Sequence, residues 1–113
     1  MASDLSKITC IEDLRAVAQR RVPRMFYDYA DSGSYTQGTY HANEDDFRRI
    51  LLRQRVAVNL SGRSTRSTML GQDVAMPVAI APTGLTGMQH ADGEILGARA
   101  AKAFGIPFTL STM

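Results

Sequence analysis

The chain has 113 residues, enough for one modest domain, and its 44% hydrophobic and 21% charged content is an ordinary globular balance that argues against long disorder. The net charge is only +2, and nine Gly and four Pro are near average, which argues against a linker-rich or low-complexity protein. Cys10 stands alone, so no disulfide can form within the chain and a reducing compartment such as the cytoplasm fits. The first residues lack a charged-then-apolar signal pattern, and no apolar run approaches the ~20 residues that span a bilayer.

Thr9-Cys10-Ile11-Glu12 reads as a capping box, with the Thr9 hydroxyl on the Glu12 amide and Glu12 reaching back. It predicts a helix to about Arg20 with Ile11, Leu14, Val17 and Ala18 as its apolar stripe and Cys10 as a half-buried helix residue. Pro23 suits the first position of a second helix, which carries Met25-Phe26-Tyr27-Asp28-Tyr29-Ala30 and stops at Asp31-Ser32-Gly33-Ser34. Tyr27 and Tyr29 lie two apart on it and so point to different sides. A third helical segment is predicted from about Tyr35 to Leu52, with Phe47, Ile50 and Leu51 inward.

Six arginines, Arg48, Arg49, Arg53, Arg55, Arg63 and Arg66, follow Phe47 with no acid before Gln72. They read as a solvated face pairing with Glu44, Asp45 and Asp46 or with parts of a larger protein. The alternative is a patch for an anionic membrane surface. Nucleic acid is disfavoured, because Phe47 is the segment's one aromatic.

Thr68–Leu70 and Val74–Met76 around Gly71-Gln72-Asp73 predict a short hairpin. Val78–Ala81 is apolar on both faces, as a strand covered on both sides should be. Asp92 and Glu94 predict a helix start, Lys102 its last turn and Gly105 its stop. Leu96, Ala100, Ala103 and Phe104 share the face expected to pack on the sheet, while the Gly93/Gly97 spacing allows close approach to a strand. Phe108–Leu110 is the second strand. A strand, helix and strand in this order imply a parallel pair, the start of an α/β fold.

Ligands of parallel α/β folds bind beyond the carboxyl ends of the strands. There this chain has Pro82-Thr83-Gly84 and Ser111-Thr112, small or hydroxylic residues with free amides. Two readings stay open at this point: turn chemistry, or the edge of a flat cofactor. Gly84-Leu85-Thr86-Gly87 does not follow the dinucleotide pattern and no nucleotide phosphate loop occurs, so NAD or ATP binding is unsupported. His41 and His90 lack ligand spacing to each other or to Cys10. Both read as surface or capping residues, and no metal is expected.

Val22-Pro23-Arg24-Met25-Phe26-Tyr27-Asp28-Tyr29 with Ser32-Gly33 resembles the N-terminal signature of the FMN-dependent L-2-hydroxy acid dehydrogenases and oxidases. The resemblance runs collinearly through Leu52–Arg55, Met76–Val78, Ile80–Leu85 and Gly105–Thr112. Leu85–Met88 with Phe108–Thr112 is most similar to the bacterial L-lactate dehydrogenase branch.

The resemblance implies helices and a basal hairpin (residues 1–67 and 68–76) leading into the first βαβ unit (residues 77–113) of a (β/α)8 TIM barrel. In the family FMN lies across the barrel mouth. Tyr29 matches the tyrosine that binds the substrate carboxylate. Pro82, Thr83 and Gly84 match the segment whose backbone lies against the flavin, and Ser111 matches a serine that hydrogen-bonds it.

A whole barrel needs ~250 residues. The family's catalytic histidine, carboxylate-clamping arginines, flavin lysine and phosphate loops correspond to positions after Met113, and neither His41 nor His90 matches that histidine. The implied parent oxidises an L-2-hydroxy acid, foremost L-lactate to pyruvate, and passes electrons to a quinone, a cytochrome or oxygen. It is a homo-oligomer, with contact to the cytoplasmic face of a membrane. The alternatives are a glycolate- or mandelate-type oxidase and a catalytically inactive fragment. The chain alone is expected to lack turnover and to expose apolar strand faces that favour self-association.

Overall fold

A computed structural model describes residues 5–113. Two compact units divide the chain, one ending at Ile50 and the other beginning at Leu51.

The first unit carries three helices, α1 (Ile11–Arg21), α2 (Arg24–Ala30) and α3 (Gly38–Asp45), the last continuing into a 3-10 turn at Asp46–Arg49. The cap of α1 sits one residue later than the capping-box spacing predicts. Asp13, not Glu12, accepts the Thr9 amide at 2.8 Å, the Thr9 hydroxyl at 2.9 Å and the Cys10 amide at 3.3 Å. These donors hold the Asp13 carboxyl below the usual carboxylate range, the Thr9 amide foremost. Glu12 is thereby free to face Arg15 at 3.6 Å, and Cys10 is an exposed N-cap, not a half-buried helix residue. Pro23 likewise stands one position earlier than predicted: as N-cap of α2, its carbonyl accepts the Phe26 and Tyr27 amides.

The third helix is shorter at both ends than its pattern suggests. Tyr35 and Gln37 have φ of 52° and 59°, a left-handed backbone that cannot enter a right-handed helix, so α3 waits for Gly38. At its far end Asp45–Arg48 and Asp46–Arg49 pair at 2.7 and 3.1 Å. Positions i and i+3 eclipse in a 3-10 turn, so these pairs suit the tighter winding found there. Phe47, Ile50 and Leu51, predicted inward, are exposed in this segment.

In the second unit, β1 (Ser67–Met69) and β2 (Gln72–Val74) form an antiparallel hairpin with Met69 opposite Gln72 and Ser67 opposite Val74. The turn is Leu70-Gly71 rather than Gly71-Gln72-Asp73. Both its residues have positive φ, 52° and 76°, as a two-residue hairpin turn of the primed kind requires. The Ala75 amide donates to the Gly105 carbonyl at 2.8 Å, which sets the hairpin at the amino-terminal end of the next two strand segments.

Those segments run parallel. The Ile80 amide donates to Pro107 O at 2.9 Å, the Thr109 amide donates to Ile80 O at 3.0 Å, and Ile80 bridges Phe108. Between them lie the short α4 (Thr86–Gln89) and α5 (Gly93–Phe104). Gly105 ends α5 as its sequence predicts, at φ 84°, with its amide on Ala101 O at 2.8 Å.

The packed face of α5 differs from the predicted one. Leu96, Ala100, Ala103 and Phe104 are exposed, whereas Gly93, Gly97 and Ala101 turn inward. The reason is backbone proximity. A side-chain carbon on Gly97 would lie 3.1 Å from the Phe108 ring, and one on Gly93 would lie 3.1 Å from Thr86, so only a stripe of small residues fits against the strand. Buried hydrophobic residues are few among the described residues: Tyr27, Val74 and Ala101.

Candidate functional site

The parallel pairing at Ile80 and Phe108 carries both chains the same distance forward, so Pro82-Thr83-Gly84 and Ser111 emerge side by side at the end opposite the hairpin. A side-chain carbon on Gly84 would lie 3.5 Å from Ser111 Oγ and 3.4 Å from Met113 Cβ. The Ser111 hydroxyl accepts the Met113 amide at 3.3 Å and keeps its own hydrogen to donate. Pro82, Thr83 and Gly84 are exposed, and the Thr83 and Gly84 amides have no backbone acceptor among the described residues. The result is a backbone ledge with one hydroxyl beside it, a surface suited to the flat, polar edge of a ring system. The Glu94 carboxyl is held below its ordinary range, first by the neighbouring Thr86 side chain and then by the Glu94, Gly87 and Thr86 amides at the starts of α5 and α4.

Within the first unit, α2 separates its two tyrosines as their spacing demands. Tyr27 is 9% exposed and packed, while Tyr29 is 66% exposed and its hydroxyl has no partner among the described residues. Tyr27 belongs to a polar hub that the sequence pattern did not disclose. Its hydroxyl donates to Asp31 Oδ2 at 2.7 Å. Arg15 of α1 grips the same carboxylate through Nε at 2.9 Å and Nη2 at 3.1 Å. Tyr40 of α3 donates to Oδ1 at 3.2 Å and accepts from Arg15 Nη2 at 2.7 Å. These donors, the Tyr27 hydroxyl foremost, hold the Asp31 carboxyl below its ordinary range, and Asp31 in turn pushes the Tyr27 hydroxyl and the Arg15 guanidinium upward. The Tyr27/Asp31 spacing of four on one helix face was the one sequence signal available; Arg15 and Tyr40 lie 16 and 9 residues from Asp31.

The FMN-dependent dehydrogenase family profile matches residues 18–113. This chain belongs to that family.

An L-lactate dehydrogenase of Stenotrophomonas maltophilia strain R551-3 is 49% identical over 106 residues, and one of Pseudomonas entomophila strain L48 is 47% identical; each match takes in 94% of this chain. The chain spans just over a quarter, 28%, of the length of these relatives. Among solved structures, a soluble mutant of the membrane-associated (S)-mandelate dehydrogenase of Pseudomonas putida is similar at TM-score 0.84 and 39% identity, over 91% of this chain and 30% of that one. The monotopic membrane protein (S)-mandelate dehydrogenase is similar at TM-score 0.86 and 36% identity, over 92% and 28%.

For a member of an FMN-dependent family, the ledge passes a chemical test. Flavin presents a flat ring edged with carbonyl oxygens and ring nitrogens, and the ledge offers amides and a hydroxyl with no bulk at Gly84. His41 lies exposed on α3 with its ring edge-on to Tyr40, and His90 caps α4 with Nδ1 2.6 Å from Ala91 O. No group of His, Cys, Asp or Glu among the described residues is placed to hold a metal. No helix among the described residues is long and apolar enough to cross a membrane.

The arginine-rich stretch divides in two. Arg48 and Arg49 pair with Asp45 and Asp46, as the solvated-face reading expects. Arg53, Arg55, Arg63 and Arg66 have no acidic partner among the described residues.

Proposed function

We propose that this segment is the amino-terminal part of an FMN-dependent L-2-hydroxy acid dehydrogenase built on a (β/α)8 barrel, with L-lactate as substrate and pyruvate as product. The observation that carries the reading is the placement of Gly84 beside Ser111, each just past the parallel bridge between Ile80 and Phe108, on the side where barrel enzymes hold their ligands. The likeness to L-lactate dehydrogenases at 47–49% identity supports lactate over other hydroxy acids.

In this reading the Pro82–Gly84 backbone lies flat against the cofactor, and the Ser111 hydroxyl donates to its edge. Tyr29 donates its hydroxyl to the substrate carboxylate and fixes which face of the α-carbon is presented. FMN, when bound, supplies the two-electron acceptor for that carbon. A quinone or a cytochrome then receives the electrons.

The test is made on the enzyme that carries this segment. Tyr29→Phe removes a hydrogen bond to a charged group, worth ~1.5–3 kcal/mol, so kcat/KM for L-lactate should fall roughly ten- to a hundredfold with flavin content unchanged. An unchanged kcat/KM, or a protein that purifies without flavin under conditions that retain it in the lactate dehydrogenases, would sink the reading. The structural likeness to mandelate dehydrogenases favours a second substrate class, and kcat/KM for L-lactate, glycolate and (S)-mandelate measured side by side decides between them.

A further inference from the structure

We infer that Asp31 is a positioning residue for Tyr29: its carboxylate locks α2 in the one rotation that turns Tyr29 outward. The inference rests on the reading of Tyr29 as the substrate-carboxylate ligand and adds the means by which that side chain is aimed.

The observation is the completeness of the hub. An ionised carboxylate offers about four acceptor positions. At Asp31 three hydrogen bonds and a close ion pair surround both oxygens: Tyr40 donates to Oδ1, Tyr27 and Arg15 Nη2 donate to Oδ2, and Arg15 Nε lies 2.9 Å from Oδ1. A carboxylate so occupied has nothing left for a ligand, which excludes a direct role in binding. Its partners instead come from three helices, α1, α2 and α3.

Helix α2 needs such a lock. It has seven residues, two turns, too short to hold a fixed orientation through its own hydrogen bonds. Tyr27 and Asp31 lie four apart on one face, and the Asp31 amide closes the helix onto Tyr27 O at 2.9 Å. Each residue turns the helix by about 100°, so Tyr29 sits roughly 200° round from Tyr27. Pinning the 27/31 face to Arg15 and Tyr40 therefore sets the direction of Tyr29 without touching it. A loosened α2 would let the Tyr29 hydroxyl sample positions well over an ångström apart, which is enough to weaken a single directed hydrogen bond.

The experiment is a double-mutant cycle in the flavin-loaded enzyme that carries this segment, reading KM and kcat for L-lactate together with flavin content. Asp31→Asn keeps the side-chain size but places an amide donor against Arg15. The expected result is a KM raised roughly tenfold, kcat changed by less, and flavin retained. In a Tyr29→Phe background the same Asp31→Asn change should move KM by less than about twofold, because the hydroxyl it aims is already gone.

An equal KM factor in both backgrounds overturns the inference, and so does a KM unmoved by Asp31→Asn. Tyr29→Phe alone judges the underlying reading: a neutral effect there removes the substrate role of Tyr29, and a KM shift by Asp31→Asn that survives it overturns the aiming role separately. Should Asp31→Asn give no soluble enzyme, Tyr27→Phe deletes one of the three hydrogen bonds to Asp31, keeps the ring, and is held to the same criteria.

Discussion

Asp31 draws donors from three helices, so its negative charge is tied to the folded state. Its folded pKa is depressed, by the Tyr27 hydroxyl first. A depressed carboxyl contributes stability that is present above its unfolded value, ~3.9, and is lost as pH falls through the folded value. Amide-exchange protection across α1, α2 and α3 should therefore decline as pH drops below about 4, and Asp31→Asn should flatten that decline. Asp13 has the same sign, through the Thr9 amide, and leaves a residual slope at the start of α1. Persistence of the full decline in Asp31→Asn would show that another group controls it. Tyr27 and Tyr40 are raised, by Asp31 and by burial respectively, so what they contribute is present at neutral pH and lost only at strongly alkaline pH. In the proposed reading Ser111 gives FMN one neutral hydrogen bond, worth ~0.5–1.5 kcal/mol, so Ser111→Ala should raise the Kd for FMN roughly two- to tenfold in a titration of the stripped enzyme.

Helix α5 shows how a backbone contact can outrank a hydrophobic pattern. Its larger apolar residues recur at helical spacing, yet the chain packs the Gly93, Gly97 and Ala101 stripe against Phe108 and Thr86. At Gly97 a methyl group would meet the Phe108 ring at 3.1 Å, so Ala would gain ~1 kcal/mol of helix propensity and lose about as much to the contact. Val removes that offset. Gly97→Val should destabilise by roughly 1–3 kcal/mol, read as a lowered denaturant midpoint at constant slope. Gly105→Ala, strained by its φ of 84° but spacious at 3.5 Å from Ala75 Cβ, should cost about 1–2 kcal/mol. A Gly97→Val midpoint equal to that of the parent would mean that the strand and helix stand further apart than the geometry here. The hairpin teaches a related lesson. Leu70 accepts a left-handed backbone that sequence preference assigns to Gly, Asn or Asp, and this moves the turn from the Gly71-Gln72-Asp73 triplet to Leu70-Gly71.

Over the whole molecule, the segment leaves much apolar surface uncovered, including Ile50, Leu51, Leu52, Val56, Val58 and Leu60, interleaved with Arg53 and Arg55. Unpaired arginines beside exposed apolar side chains match the chemistry of an anionic lipid surface, and each cation near such a surface is worth ~1 kcal/mol. Replacing Arg53, Arg55, Arg63 and Arg66 by Gln should cut binding of the enzyme to phosphatidylserine vesicles at least tenfold, with little change on phosphatidylcholine; equal binding by parent and variant would assign these arginines to protein contacts. Much of this architecture was legible beforehand. The order of helices, the parallel pairing, the stop at Gly105 and the opposite facing of Tyr27 and Tyr29 all follow from periodicity, turn chemistry and strand polarity, which are local and so written in consecutive residues, whereas the choice of Tyr29 as the outward one came from the family resemblance alone. Three features depended on what the chain meets after folding. The Asp31 hub joins residues up to 25 apart in sequence, the inward face of α5 is chosen by its distance to Phe108, and the short α3 is set by left-handed residues at Tyr35 and Gln37. The sequence by itself determined which elements form and in what order they follow one another. Only the tertiary structure decided which faces touch, because close approach and shared hydrogen bonds depend on the distance between elements and not on the pattern within one.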